Sequence, residues 1–340
     1  MGLRGKFLHG PLGFGTAPLG NMFRNVPSDD AAATLDAAWD HGTRYFDTAP
    51  FYGAGLAEIR LGAMLSRHQR DEYVLSTNVG RLIQSGAPGD DDAPGGRFAG
   101  SAHKVVFDYT ELGAMKSIEA SLLRLGVDRL DFVWVHDVAQ DFHGDGWLAQ
   151  FEIARTGAFR ALTKLRDAGS IRGWGLGVNR TEPVELVLGL AEVNPDGSLL
   201  ADRYTLLDHK HALQHVMPAA QKQGVDIVVG GPYSSGILSG QSLFEYHRMS
   251  AEITARVARI TALADQHAIP VKAAALQFCL AHPAVVAVIS GASTPERISE
   301  DHTALTTPIP DDFWHELRDH QLVAPDAPLP IDGMPSPAGS

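Results

Sequence analysis

Eight short, apolar, β-rich runs recur along this 340-residue chain with helical patterns between them, and that alternation restricts the fold more than any other feature. The runs are residues 12–16, 45–48, 73–77, 132–136, 173–178, 203–207, 227–229 and 285–289. Each is mostly apolar, as a strand covered on both faces should be. Of the helices between them, the first is expected to be capped by Ser28, with Ala32, Leu35, Ala38 and Trp39 behind it at helix spacing. Leu112, Met115, Ile118, Leu122 and Leu125 make a clearer stripe, ended by Gly126 as C-cap. Further helices are expected over residues 157–168, 183–191, 212–223, 252–267 and 295–303. Alternation of this kind calls for a parallel sheet, and eight strands is the number that closes. The expected architecture is therefore α/β, a single-domain (β/α)8 TIM barrel, with an open doubly wound sheet as the competitor.

The length alone would allow two domains, but barrels of this class run about 250 residues and more with insertions. Residues 1–322 are read as the barrel. Residues 85–100 (SGAPGDDDAPGGRFAG) read as an inserted surface loop, and 323–340, rich in Pro, Gly and Ser from Ala324, as an extended or disordered tail. No apolar run approaches the roughly 18–20 residues of a membrane helix, and the N-terminus lacks an apolar h-region, so neither span nor signal peptide is expected. The single cysteine, Cys279, excludes an intramolecular disulfide and a cysteine-built zinc site and fits a cytoplasmic location. No metal site is read. A formal charge of −12 disfavours nucleic acid or an anionic membrane as partner and leaves a small-molecule site unconstrained.

In such a barrel the chemistry sits where strands leave their C-terminal ends. Those positions carry Asp47 and Tyr52 (FDTAPFYG), Asn78 (STNVGR), His136 and Asp137 (WVHD), and Asn179 (GLGVNR). Strand seven runs into the Gly/Ser-rich turn VVGGPYSSG, and strand eight into SGASTPERISED, with Ser293 or Thr294 as N-cap and Pro295 in the first turn. Taken singly, each has an ordinary structural role: Asp in turns, a packed Tyr, a core His. Gathered at successive strand ends, they outweigh that reading. A Tyr can act as general acid or base when neighbours bring its pKa down from about 10. The glycine turn and the helix start suit a phosphate or pyrophosphate, and Arg297 can add a charge-assisted contact. Neither GxGxxG nor GxxxxGK[ST] occurs, so a Rossmann module or P-loop is unsupported.

These segments resemble the aldo-keto reductase superfamily over the chain to about Leu322, above all GTRYFDTAPFYGAGLAEIRLGAML and GASTPERISED. LSTNVGR, DRYTLLD and GGPYSSGIL are most similar to the group comprising the D-threo-aldose 1-dehydrogenases and pyridoxal 4-dehydrogenase. The resemblance implies NAD or NADP across the barrel mouth, Tyr52 as proton donor or acceptor, and Asp47 and His136 as the groups that tune and orient it. It also implies Asn179 on the carboxamide and the Gly230–Gly236 turn (Gly230, Pro232, Tyr233, Ser235, Gly236) on the pyrophosphate. Thr16 and Asp47 join the cofactor set, and Gly291, Ser293, Arg297, Glu300 and Asp301 hold the adenosine end. Glu300 and Asp301, with Ser290 where NADP-preferring relatives often carry lysine, lean the choice to NAD.

One departure bears on catalysis: the family's lysine at the end of strand three is Asn78 here. A neutral amide supplies no charge, which can cost several orders of magnitude against the ~10²–10⁴ of general acid–base catalysis. The chain is then an altered variant, a slow or alkaline enzyme resting on His136 and Tyr52, or one moved to other chemistry. At strand seven, Gly230 and Gly231 replace a frequent stacking aromatic, as in the aldose dehydrogenase group. The expected substrate is small and polar, a sugar lactol (L-fucose or D-arabinose type) or pyridoxal, oxidised to a lactone. Phe51, Trp134 and Trp147 are candidate pocket walls, and residues 85–100 and 241–247 candidate covers. The alternatives are an acid/base lyase, isomerase or epimerase using Tyr52 and His136, and a non-catalytic cofactor-binding subunit.

Overall fold

In the computed structural model, strands β1 (Leu12–Gly15), β2 (Tyr45–Asp47), β3 (Val74–Val79), β4 (Phe132–His136), β5 (Gly173–Val178), β6 (Gly197–Ala201), β7 (Asp226–Gly230) and β8 (Val285–Gly291) form a closed parallel barrel. The structure describes residues 10–21, 24–85, 103–239, 243–244, 247–248 and 250–331. The seam is the pairing of β1 with β8, where Leu12 faces Val288 and Gly15 faces Gly291.

Strand side chains alternate between two cores, as a period of two requires. Phe14, Phe46, Leu75, Val133, Val135, Leu176 and Val229 pack outward against the helices. Tyr45, Val74, Phe132, Trp134, Val228, Ala287 and Ile289 form a second cluster inside the barrel. Aromatic rings in so narrow a space need small neighbours. The alternate glycines of β5 (GWGLGV) supply them: a Cβ on Gly177 would lie 3.0 Å from the Trp134 Cβ and 2.8 Å from the Asn78 Oδ1. Trp134 is fully buried here, a core residue rather than a pocket wall.

Strand six is displaced from its expected place. It is Gly197–Ala201, and residues 203–207 form an irregular connection instead. The sequence GSLLA has no β-branched or aromatic residue and so little strand signature, whereas RYTLL has both. Tyr204 instead stacks on Phe278 at 5.5 Å, outside the sheet. Helices also lie where none was read, the longer ones being Leu56–Leu65, Trp147–Thr156, Val271–Leu280 and Asp311–Asp319. Val271–Leu280 is buried on most sides (Ala273–Leu276, Phe278, Cys279), so it lacks the polar face that marks an amphipathic helix.

Helix ends follow local chemistry with one correction. The first helix, Ser28–Asp40, has Pro27 at its N-cap and Ser28 one position inside, with no side-chain cap bond. Thr110 caps Glu111–Leu125 by accepting from the Gly113 N–H, and Gly126 ends it at φ 66°. Leu112 on that helix is exposed; its buried face runs through Ala114, Ser117, Ile118, Ser121 and Leu125. Beyond it, Val323, Ala324, Ala327 and Leu329 are buried, so packing continues past Leu322, and residues 332–340 lie outside the described residues. The loop read over 85–100 also lies outside them beyond Ser85. Its flanks, Arg81–Ser85 and His103–Phe107, pair as an antiparallel hairpin. Most of 241–247 is likewise outside. Among the described residues, no helix is long and apolar enough to cross a membrane.

Candidate active site

A cleft of about 510 Å³ opens at the C-terminal ends of the strands. Asp47, Tyr52, His136 and Asn179 line it, with Gly230 at the end of β7 and Pro232, Tyr233, Ser235 and Gly236 after it, and Gly291 at the end of β8 with Ser293 and Arg297 beyond. Phe51 is a wall as expected. Trp147 instead packs edge-on against Phe151 away from the cleft.

Asp47 ends β2 almost fully buried, and its Oδ2 accepts from the Ser76 hydroxyl and from the Trp134 indole N–H at 3.1 Å. Behind Ser76 lies the Tyr45 hydroxyl, 3.1 Å away. Two neutral donors do not offset the loss of water around a carboxylate. Burial therefore pushes the Asp47 carboxyl up to about 7, although both hydrogen bonds pull it down.

Asn78 lies within β3 rather than after it, because the strand runs to Val79. It shares the inward face with Ser76, two residues earlier, but its amide nitrogen donates to the Thr48 carbonyl at 2.8 Å, not to Asp47. Among the described residues, no cation pairs with Asp47.

Tyr52 sits on the turn after β2, its ring 5.9 Å from that of His136 and perpendicular to it. The turn is pinned by backbone contact: a Cβ on Gly20 would come within 2.5 Å of the Tyr52 carbonyl carbon. His136 is buried at the end of β4, and its imidazole is held well below the ordinary range, first by burial and then by the Arg81 guanidinium. Arg81 follows β3 and folds back over it, Nη1 lying 3.5 Å from His136 Nδ1 and Nη2 2.9 Å from Asp137 Oδ2.

At the other end of the cleft, Arg24 donates to the Ser293 hydroxyl at 2.7 Å, bridging the loops after β1 and β8. Glu300 and Asp301 lie outside the lining. Lys272 pairs with both, at 2.9 and 2.6 Å, and the Tyr233 hydroxyl donates to Asp301 at 2.8 Å. Thr16 and Asn78 are buried beneath the surface of the cleft, and the Thr16 hydroxyl is one of the buried polar atoms without a hydrogen-bond partner among the described residues. Arg24, Arg81 and Asp202 were missed as site residues. Arg81 stands three residues past Asn78 on a different element, and nothing local marks its return to His136.

The model of the aldo/keto reductase family matches residues 11–321. The chain belongs to that family. It is 41% identical over 329 residues to pyridoxal 4-dehydrogenase of Microbacterium luteolum, covering 92% of this chain and 94% of the relative. It is 36% identical over 323 residues to D-threo-aldose 1-dehydrogenase of a Pseudomonas species, with the same two coverages. A solved aldo-keto reductase from Bacillus halodurans in its holo form superposes with a TM-score of 0.70 over 92% of both chains, at 23% identity, which speaks to the fold. As an aldo/keto reductase, the protein is an NAD(P)-dependent oxidoreductase.

The cleft fits such a cofactor. Gly231, at φ 60°, carries no side chain where a Cβ would strike Asp202 Oδ1 at 2.4 Å. Asp202 in turn accepts from the Ser235 N–H and hydroxyl, both at 3.1 Å, which fixes the glycine turn beside the cleft. Arg24 and Arg297 supply cationic donors suited to phosphate at the far end.

Proposed function

We propose that this protein oxidises a sugar lactol of the L-fucose or D-arabinose type, or pyridoxal in its cyclic hemiacetal form, to a lactone, and that Asn78 attenuates the reaction. The observation that carries the proposal is the convergence of Asp47, Tyr52 and His136 on one cleft with a phosphate-suited end. Relatives named for these two substrate classes, at 41% and 36% identity, support it. A bound nicotinamide supplies the hydride acceptor for the hemiacetal carbon. In its phenolate form Tyr52 takes the proton of the substrate hydroxyl, His136 donates a hydrogen bond to that oxygen, and Asp47 with Asn78 forms the floor beneath. Asn179 holds the carboxamide, Thr16 lies below it, and the Gly230–Gly236 turn holds the pyrophosphate.

For the adenosine end, Gly291, Ser293 and Arg297 serve as expected. Glu300 and Asp301 act one layer back, because Lys272 and Tyr233 already engage them. That weakens the main reason for preferring NAD: carboxylates engaged one layer back repel a 2′-phosphate less, and Arg24 and Arg297 attract one. We therefore assign the site to both nucleotides. We take residues 1–322, with the packed segment that follows, as one catalytic unit working in the cytoplasm on a small polar substrate.

The test is to assay this chain beside Asn78→Lys with NAD and NADP from pH 7 to 10, on L-fucose, D-arabinose, other aldoses and pyridoxal, following the absorbance of reduced cofactor. A rise of about 10²–10⁴ on one substrate is expected, the scale of a restored acid–base group. If neither version reduces cofactor while nicotinamide binding is measurable, the dehydrogenase reading fails.

A further inference from the structure

Arg81 is nearly as buried as the core, yet it stays outside the lining of the cleft. Its guanidinium stacks 3.7 Å from the centre of the Phe51 ring and 4.6 Å from that of Phe142, both of which wall the cleft. A buried guanidinium is costly unless its hydrogen-bonding directions are used. Here two of them frame His136: Nη1 lies 3.5 Å from its Nδ1, and Nη2 reaches Oδ2 of the adjacent Asp137 at 2.9 Å. The same carboxylate oxygen lies 3.3 Å from His136 Nε2.

An arginine has only donors, and an ionised carboxylate only acceptors. Nδ1 therefore faces a donor and Nε2 an acceptor, so the proton belongs on Nε2. The opposite tautomer would set N–H against N–H and lone pair against carboxylate. Tyr52 meets the ring edge-on, and the Tyr109 hydroxyl, which also contacts His143, bonds the His136 backbone carbonyl.

We propose that Arg81, acting with Asp137, is a positioning residue that locks His136 as the neutral Nε2–H tautomer, so that the substrate oxygen meets an N–H, shared with Asp137 Oδ2, and never a ring lone pair. This rests on the dehydrogenase reading for its use, though not for its existence. Arg81 takes no proton itself; its fixed charge disfavours imidazolium, and its donors exclude the Nδ1–H form.

Two readouts test it separately. Nitrogen-15 spectra of the imidazoles, with His136 assigned by its absence in His136→Gln, need no substrate. The expected result is a single Nε2–H form that does not titrate between about pH 5 and 8, around the ordinary histidine value. An Nδ1–H form, or titration in that range, overturns the proposal whatever the substrate is. In Arg81→Met, kcat/KM should fall at least about tenfold, part of the ~10²–10⁴ that a positioned group supplies, and a new ionisation should enter its pH profile. An unchanged profile overturns it too. Should Arg81→Met not fold, Arg81→Lys keeps a charge without the planar fork and should show a mixed tautomer. A lock intact in Arg81→Lys overturns the assignment to the guanidinium. Failure of every substrate with the Nε2–H lock present would sink the dehydrogenase reading and leave this one standing.

Discussion

Replacing Asn78 by lysine should change how stability depends on pH as well as the rate. Position 78 shares the inward face of β3 with Ser76, which bonds Asp47, so a lysine there reaches the carboxylate. An ammonium about 4 Å from a carboxylate, at an effective dielectric near 20, contributes about 4 kcal/mol. That corresponds to roughly three pKa units, bringing Asp47 from about 7 to near its unfolded value. In the parent the folded pKa is raised, so the stability tied to Asp47 is fully present below the unfolded pKa. It is lost as pH rises through about 7, by roughly 4 kcal/mol in all. With lysine at 78 most of that loss should vanish. The assay is denaturant unfolding from about pH 4 to pH 8 of four proteins: parent, Asn78→Lys, Asp47→Asn and the double variant. Subtracting the Asp47→Asn curves isolates the carboxylate. A flat difference curve for the parent, or equal slopes with and without Asn78→Lys, would refute the argument.

Two smaller perturbations probe the rest of the cleft. Gly20→Ala puts a methyl group 2.5 Å from the Tyr52 carbonyl carbon, so it should cost ~1–3 kcal/mol in denaturation and lower kcat more than it raises KM. Full activity would show that the turn does not position Tyr52. Arg297→Ala should weaken NADP about tenfold more than NAD, a difference of ~1.4 kcal/mol, read by titrating each nucleotide against protein fluorescence. Equal losses would remove Arg297 from the 2′-phosphate end.

The barrel was legible because most strands obey one rule, apolar residues on both faces between polar turns. Strand six fails that rule. Gly197–Ala201 carries only two leucines between small residues, and tertiary pairing with β5 and β7, not propensity, makes it a strand. Asp47, Tyr52, His136 and Asn179 could be found because each lies at a strand end or on the turn just beyond it. Arg81 could not be found, since its partner is 55 positions away on another strand. That Glu300 and Asp301 lie behind the lining could not be read for a similar reason. Lys272 lies on the preceding helix, and nothing in SGASTPERISED shows that it already pairs with both.

The seam between β1 and β8 also orders events in time. Asp47, Tyr52 and His136 all belong to the first half of the chain, yet Gly291 ends the last strand and Ser293 and Arg297 follow it. A chain that has emerged only as far as β7 presents two unpaired parallel edges, at β1 and β7, each ready to pair with another chain. The proton-handling residues are thus synthesised early, but the adenosine end of the cleft cannot close until synthesis is nearly over. Capture of cofactor and protection from aggregation become the same late event.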